Sequence, residues 1–247
     1  MADAERLIGI HPVREALRAR RRELRRVRIA GSAGRRWIEE IQALAREAGV
    51  PVEVVGGAEP RGGRSGVELE AGPLPEVSVE ELAAFAGESA RLVALDEVED
   101  PQNLGALCRV AEASGARGLI LTRRHAPPLS PAVSRASAGA VEHLPVARVP
   151  NLRRALNHLK SQGYWVLGAD VDAPADLFEL PDRLLQGRLV VVLGGEGRGI
   201  RAGVRECLDH RARIPMAGRV GSLNVSTAGA VVLFELLRRD RTRGERA

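Results

Sequence analysis

The sequence predicts an α/β protein with a parallel-sheet domain preceded by a smaller α/β domain. Helical and extended patterns alternate along the chain, which is typical of α/β architecture. Apolar residues make up 45% of the 247 residues, enough to bury a core. A stretch rich in Gly and Pro, residues 56–78, interrupts the pattern. We therefore predict domains at residues 1–72 and 91–247, joined by a linker and a first short helix at 73–90.

The smaller, amino-terminal domain is predicted to contain two helices and three strands. The helices are expected near Pro12–Arg22 and Arg35–Ala48. The strands are expected near Arg25–Ala30, Val52–Val55 and Val67–Leu69.

The second domain is predicted to begin with a short helix, because Ser78 and Glu81 form a capping-box pattern. A buried strand at 91–98, a helix at 103–115 and a strand at 116–122 predict a right-handed crossover in a parallel sheet. Further strands are predicted at Tyr164–Ala169, Leu189–Leu193 and Arg213–Met216, and helices at Asn151–Gln162, Arg201–Leu208 and Asn224–Arg239. The last helix is expected to be buried, with Phe234 among its core residues.

The charge pattern favours a polyanionic partner. The net charge is +5, and Lys160 is the only lysine among 37 basic residues. Arginine binds phosphate through two parallel hydrogen bonds. A high-GC genome explains the excess of Arg over Lys equally well, but not the clustering in RARRRELRRVR, residues 18–28. This run, with Arg21, Arg22 and Arg25, predicts a nucleic-acid contact; a solvated helix face is the alternative.

Composition and spacing exclude several classes of function. The two cysteines lie far apart and the five histidines are scattered, without the spacing of a zinc site. No apolar run approaches the roughly 20 residues of a membrane span, and the amino terminus lacks the apolar core of a signal peptide. We expect no metal, no disulfide and no membrane contact, and a cytoplasmic location.

Three loops follow predicted strands, at the edge where open parallel sheets build their sites. In the first loop, Asp100 and Pro101 suit a helix start. Asn103 and Arg109 lie six residues apart, so they can converge only if Asn103 belongs to the entering loop. The alternative is that Asn103 is a simple cap and Arg109 a surface charge.

The other two loops are rich in glycine. LVVVLGGEGRGI, residues 189–200, is a strand followed by a glycine turn that lets the backbone approach a ligand. It lacks the third glycine of a dinucleotide fingerprint, which argues against an oxidoreductase, and Glu196 stands out as a carboxylate among glycines. In the last loop, Ser222 and Asn224 both precede an apolar helix. Capping a helix needs only one short polar residue. The presence of two indicates that this loop also faces a ligand.

Three stretches read NLGALCR, VVLGGEGRGI and RIPMAGRVGSLNVSTAGAVVLFE, in that order within residues 91–240. They resemble the three ordered motifs of the SpoU (TrmH) family of RNA ribose 2'-O-methyltransferases. GIHPVREAL and SRASAGAVEHLPVARVPNL further resemble the RlmB branch, whose members methylate a guanosine ribose of 23S ribosomal RNA. The alternatives are a transfer-RNA enzyme, an enzyme for another 23S site, and a non-catalytic RNA-binding protein of the same fold.

The resemblance implies a SPOUT-type catalytic domain whose carboxyl-terminal segment forms a trefoil knot. It also implies S-adenosyl-L-methionine as cofactor, a homodimer formed through the catalytic domains, and a ribosomal-protein-like RNA-binding domain in the first 72 residues. The catalytic residues it implies are Asn103, Arg109, Glu196, Ser222 and Asn224. The cofactor-binding residues are Gly194, Gly195, Gly197, Ile214, Met216 and Leu223, and Arg135 joins the RNA-binding arginines.

The reaction that the resemblance implies needs a way to remove the proton of a ribose 2'-hydroxyl, which does not ionise at neutral pH. Methyl transfer also needs in-line approach of the two reactants. On this resemblance, Arg109 either acts as the base, after losing a proton to the RNA phosphate, or binds that phosphate. In the second case the phosphate or Glu196 takes the proton.

Overall fold

The computed structural model of the chain describes residues 4–30, 34–55, 66–85 and 90–244. The strands, in chain order, are β1 (Glu5–Ile8), β2 (Leu24–Ala30), β3 (Val52–Val55), β4 (Val67–Ala71), β5 (Arg91–Asp96), β6 (Gly118–Thr122), β7 (Val146–Val149), β8 (Trp165–Ala169), β9 (Ala175–Asp176), β10 (Leu189–Gly194) and β11 (His210–Arg213). The helices are α1 (Ile10–Ala19), α2 (Arg35–Glu47), α3 (Val79–Phe85), α4 (Pro101–Ala113), α5 (Pro131–Ala136), α6 (Leu152–Ser161), α7 (Ala202–Arg205) and α8 (Val225–Gly244).

The chain divides into two compact units, each built from two segments. The first unit is Met1–Pro75 with Pro128–His143, and the second is Glu76–Pro127 with Leu144–Ala247. Residues 128–143, predicted to lie in the second domain, are grouped with the first unit. Of the Gly- and Pro-rich stretch predicted to break regular structure, residues 56–65 lie outside the described residues.

The first unit is a four-stranded sheet in the order β1-β4-β2-β3, with only β2 and β3 parallel. Its core includes Leu7, Leu17, Ile29 and Leu69, all fully buried. Helix α1 ends earlier than the predicted Arg22. Arg20 adopts a left-handed conformation with φ 51°, and its N–H donates to the Ala16 carbonyl, which closes the helix. The edge strand β1 was not predicted.

A buried ion pair joins the two segments of the first unit. Arg22 donates from Nε to Glu142 Oε2 at 2.9 Å and from Nη2 to Glu142 Oε1 at 3.0 Å. Its Nη1 donates to Glu5 Oε2 at 2.7 Å and to the Gly72 carbonyl at 3.1 Å. Ser134 Oγ also donates to Glu142 Oε1, at 2.8 Å. Burial raises the pKa of Glu142, and the charge of Arg22 opposes this rise. The pair accounts for the grouping of residues 128–143 with the first unit.

The second unit is built on a seven-stranded sheet in the order β7-β6-β5-β10-β8-β11-β9. Each pair of neighbouring strands is parallel. Strand β5 is buried along its whole length, and the central strand β10 is buried except at its last residue, Gly194. A parallel sheet covered on both faces requires such continuous apolar runs. The predicted parallel sheet and the β5-α4-β6 crossover are confirmed.

Two predicted helix starts are also confirmed. The Ser78 N–H donates to Glu81 Oε2 at 2.6 Å, and the Glu81 N–H donates to Ser78 Oγ at 3.1 Å, which is a complete capping box. Asp100 caps α4 by accepting from the Gln102 N–H at 2.9 Å, and Pro101 is the first residue of that helix.

Other predictions for the second unit were wrong at their boundaries. Strand β11 ends at Arg213, whereas the prediction extended to Met216; Pro215 has no N–H to donate to the sheet, so the strand ends before it. Helix α7 is shorter than predicted, and β7 and β9 were not predicted. Phe234 on α8 is 46% exposed and does not belong to the core. In the described part of the chain, no helix combines the length and apolar character needed to cross a bilayer.

We expect Arg22→Met to lower the free energy of unfolding by about 3 kcal/mol or more, because it leaves the Glu142 carboxylate buried without its partner. Urea denaturation followed by circular dichroism measures this loss. Removing both charges in Arg22→Met/Glu142→Leu should recover much of it. An Arg22→Met variant as stable as the wild type would contradict the structural role of the pair.

Candidate active site

The site lies at the carboxyl edge of the parallel sheet, where the loops after β5, β10 and β11 come together. Asp96 and Gly194, the last residues of β5 and β10, are paired in register at this edge. The loop after β5 leads into α4, the loop after β10 is the glycine turn, and the loop after β11 leads into α8. Open parallel sheets place their ligands at such an edge.

Three predicted side chains meet in one hydrogen-bonded cluster. Asn103 Nδ2 donates to Glu196 Oε1 at 3.0 Å, and Asn224 Nδ2 donates to the same oxygen at 2.7 Å. Asn224 Nδ2 also lies 3.0 Å from Asn103 Oδ1, to which it donates. Glu196 Oε1 therefore accepts from two amides, while Glu196 Oε2 has no hydrogen-bond partner among the described residues.

The two asparagines are positioned by helix starts. Asn103 lies in the first turn of α4 and is 8% exposed. Asn224 immediately precedes α8, where its Oδ1 accepts from the Ser226 N–H at 2.9 Å and from Ser226 Oγ at 2.6 Å. Asn224 is thus both a helix cap and a member of the cluster. Ser222 is exposed and makes no hydrogen bond with the described residues.

A buried carboxylate that the sequence analysis missed holds the glycine turn in place. Asp96 is fully buried, and its Oδ1 accepts from Arg201 Nε at 2.9 Å and from Arg201 Nη2 at 2.6 Å. Asp96 Oδ2 accepts from the Arg201 backbone N–H at 2.9 Å. Arg201 Nη1 also pairs with Glu97 at 2.9 Å, and the hydrogen bonds to Asp96 raise the pKa of Arg201. The position of Asp96 at a strand end was the available signal, but its partner lies 105 residues away.

The turn between Asp96 and Arg201 requires glycine. The Gly195 N–H donates to the Asp96 carbonyl at 2.8 Å, and a Cβ on Gly195 would overlap the Glu97 carbonyl oxygen. Gly197 adopts φ 80°, a conformation that other residues rarely accept. The backbone therefore runs close to β5, and Glu196 is directed away from it towards α4.

Two clefts flank the Glu196 turn. The larger, of about 500 Å³, lies on the side of Asn103 and includes Glu99, Asp100 and His125. The smaller, of about 250 Å³, lies on the side of β8 and includes Asp170 and Arg205. Gly195, Glu196, Arg198, Gly199 and Val225 line both clefts.

Four of the six predicted cofactor-binding residues line the smaller cleft, and the other two line neither cleft. Gly194, Gly195, Gly197 and Leu223 line the smaller cleft, as does Ser222. Ile214 and Met216 line neither of the two clefts. They follow the end of β11, and Met216 is 39% exposed.

Arg109 does not join the cluster within a single chain. It is exposed on α4 and forms neither a hydrogen bond nor an ion pair with the described side chains. Asn103 lies inside the helix rather than in the entering loop, and six residues rotate Arg109 about 240° around the helix axis from Asn103. The spacing argument for separate faces therefore holds.

The arginines predicted to bind RNA occupy different environments in the first unit. Arg22 is buried in its ion pairs, which argues against a contact with RNA. Arg21 donates to the Glu142 carbonyl at 3.3 Å, and Arg25 pairs with Glu23 at 3.1 Å. Arg135 is exposed, and its side chain has no partner among the described residues.

Family models match both parts of the chain. Residues 90–234 match the SpoU rRNA methylase family, and residues 6–59 match a model described as RNA 2'-O ribose methyltransferase substrate binding. The chain belongs to the SpoU methylase family. The predicted family and enzyme class are thereby confirmed.

Individual SpoU relatives match over nearly the whole chain. The 23S rRNA (guanosine-2'-O-)-methyltransferase RlmB of Pseudomonas putida is 36% identical, over 96% of this chain and 98% of the relative. The AdoMet-bound rRNA methyltransferase from Sinorhizobium meliloti has a TM-score of 0.76 and 26% identity, over 95% of this chain and 87% of that one. The SpoU methyltransferase AviRb from Streptomyces viridochromogenes has a TM-score of 0.81 and 23% identity, covering 97% and 90% of the two chains, and supports the fold alone.

We expect Asp96→Asn to lower the free energy of unfolding by about 2 kcal/mol or more, because a charged hydrogen-bond acceptor is lost at a buried position. Amide hydrogen exchange at residues 195–201 should become faster, which mass spectrometry measures. Glu97→Gln, which removes only the outer pair to Arg201, should change exchange much less. Equal exchange in Asp96→Asn and wild type would show that Asp96 does not hold the turn.

Proposed function

We propose that this chain transfers a methyl group from S-adenosyl-L-methionine to a ribose 2'-hydroxyl of 23S ribosomal RNA, with guanosine as the nucleoside. The Asn103–Glu196–Asn224 cluster carries this proposal, because it presents an oriented carboxylate beside a glycine-lined cleft. The similarity to RlmB of Pseudomonas putida supports the substrate. A cytoplasmic location follows from a ribosomal RNA substrate.

The smaller cleft suits the cofactor. Leu193, Leu223 and Ala228 offer apolar surface for an adenine ring, and the glycine turn exposes backbone groups. Asp170 and Arg205, which form an ion pair with each other at 3.2 Å, add polar groups for the polar end of the molecule. When bound, S-adenosyl-L-methionine supplies a methyl group on a positively charged sulfur.

Glu196 is our candidate for handling the 2'-hydroxyl proton. Both asparagine amides hold Oε1, so the carboxylate has a fixed orientation without a charged partner. Oε2 is then available to accept a hydrogen bond from the ribose hydroxyl. A base oriented in this way does not need to reorganise when the proton moves.

Arg109 and Ser222 are proposed to act on the RNA phosphate beside the target ribose. Arg109 is exposed and unpaired among the described residues, so its guanidinium can form two hydrogen bonds with a phosphate. Ser222 lines the smaller cleft and can donate its hydroxyl. Proton removal by Arg109 itself is the weaker alternative, because a guanidinium keeps its proton in proteins.

The knot and the dimer remain proposals as well. Strand β10 lies between β5 and β8, and the chain after β11 returns to the loops that follow β5 and β10, which supports threading of the last segment. Within the second unit, Phe178, Val220 and Phe234 are exposed apolar residues, which supports self-association through this unit.

Arg21, Arg25 and Arg135 are the proposed RNA contacts of the first unit.

The function is tested by incubating the chain with a 23S RNA transcript and labelled methyl donor, then mapping ribose methylation. We expect Glu196→Gln to lower kcat on the order of 100-fold or more, because the glutamine amide cannot accept the proton. Binding of S-adenosyl-L-methionine, measured by calorimetry, should change little. Glu112→Gln, an exposed acidic position on α4, is the matched control.

Two results would count against this function. If the wild-type chain binds the methyl donor but modifies only transfer RNA, its substrate is transfer RNA and not 23S ribosomal RNA. A chain that binds RNA and has no measurable affinity for the donor would be a non-catalytic RNA-binding protein.

We expect Arg109→Lys to reduce methylation on the order of tenfold or more, because lysine keeps the charge but loses the planar pair of donors. The measurement is kcat/KM on the same transcript. Arg117→Lys, an exposed arginine at the start of β6, is the control and should retain activity. Near-full methylation by Arg109→Lys would show that Arg109 neither binds the phosphate through two hydrogen bonds nor removes the 2'-hydroxyl proton.

A further inference from the structure

Three arginines line a separate cleft of the second unit. The cleft has a volume of about 540 Å³ and lies at the carboxyl ends of β6 and β7. Arg123 directly follows β6, Arg148 belongs to β7, and Arg154 lies in the first turn of α6. None of these residues belongs to the catalytic cluster.

Arg123 and Arg148 hold each other in place through their backbones. Arg123 Nε donates to the Arg148 carbonyl at 3.2 Å, and Arg148 Nη2 donates to the Arg123 carbonyl at 3.2 Å. Arg148 Nη2 also lies 3.4 Å from the carbonyl of Ala126. Two like charges are thus held next to each other. Because these hydrogen bonds already restrict the two side chains, less conformational entropy is lost when a ligand binds.

The nearby carboxylates compensate these charges only in part. Glu76 lies 3.9 Å from Arg148 Nη1, and Glu80 lies 4.0 Å from His158 Nε2. Arg123 and Arg154 lie within ion-pair distance of no described carboxylate, although the charge of Arg154 contributes to lowering the pKa of Glu80. Their terminal guanidinium nitrogens donate to no described acceptor. The cleft therefore carries an excess of positive charge with unused donors.

This cleft continues the edge that carries the catalytic cluster. His125, two residues after Arg123, lines the larger cleft beside Asn103 and Glu196. Strands β10, β5, β6 and β7 are consecutive neighbours, so the end of β7 lies about 14 Å from the end of β10, the strand that Glu196 follows. A single RNA strand whose ribose meets Glu196 can reach this distance with its flanking phosphates.

We propose that Arg123, Arg148 and Arg154 form a second anion site, which binds a backbone phosphate of the RNA flanking the methylated nucleotide. This inference rests on the proposed function, because it assumes an RNA strand at Glu196. The site would position the strand along the sheet edge, and it would read the phosphate backbone rather than the bases.

The test measures binding of the full chain to a 23S RNA transcript at several salt concentrations. We expect Arg123→Gln/Arg154→Gln to weaken binding on the order of tenfold, since charge-assisted hydrogen bonds to phosphate are lost. The slope of log affinity against log salt should become shallower by about 0.7, the value for one single-strand phosphate. Arg117→Gln, at the opposite end of β6, should leave both quantities unchanged. Binding of S-adenosyl-L-methionine should be equal in all variants.

The outcomes separate this site from the proposed function. A double variant with the affinity and salt slope of Arg117→Gln overturns the phosphate site, even if the wild type methylates the transcript. Binding of inorganic pyrophosphate is measured for the same variants. If the double variant loses pyrophosphate binding but keeps the RNA affinity of the wild type, the RNA phosphate site is also overturned, because the cleft would then bind a free anion. A wild-type chain that binds the transcript without methylating it refutes the proposed function, while the salt slopes still decide on the phosphate site.

Discussion

The buried carboxylate of Asp96 is the constraint on which the site depends. It accepts three hydrogen bonds from Arg201, one of them from the backbone, while the Asp96 carbonyl accepts from the Gly195 N–H. The glycine turn is therefore tied at both of its ends to the end of β5. A glutamate among glycines would otherwise sample many orientations. Because the turn is fixed, Glu196 reaches the first residues of α4 and α8.

The cluster around Glu196 links stability to function through shared side chains. Asn224 uses Oδ1 to begin α8 and Nδ2 to orient the carboxylate, so one side chain meets both needs. Asn103 is buried in the first turn of α4 and donates to the same oxygen. Three segments that are distant in sequence are joined at one oxygen atom. Neutral amide donors fix the carboxylate without the ion pair that would compete with a substrate for it.

Features that depend on neighbouring residues could be predicted from the sequence, whereas contacts between residues far apart in the chain could not. The parallel sheet, the capping box at Ser78 and the start of α4 follow from apolar runs and short-range hydrogen bonds. Strand β9 is two residues long, too short for a periodic signal. The motif resemblance identified Asn103, Glu196 and Asn224, but not their mutual contacts. Glu142, the buried partner of Arg22, lies 120 residues away, and Arg201, the partner of Asp96, lies 105 residues away, so no local pattern indicates these pairs.

The arginines of this chain differ in function according to the acceptors around them. Arg22 meets two carboxylates in the interior, and Arg201 meets Asp96, so both are structural. An arginine cluster in the sequence therefore indicates RNA only where no buried carboxylate holds the guanidinium groups. The run at residues 18–28 fails this criterion at Arg22, which is paired with the buried Glu142. The pair of Arg123 and Arg148 meets it, because backbone carbonyls hold the two guanidiniums and the one carboxylate near them, Glu76, is exposed and lies 3.9 Å from Arg148. A phosphate requires positive charge that is held in place and compensated only in part.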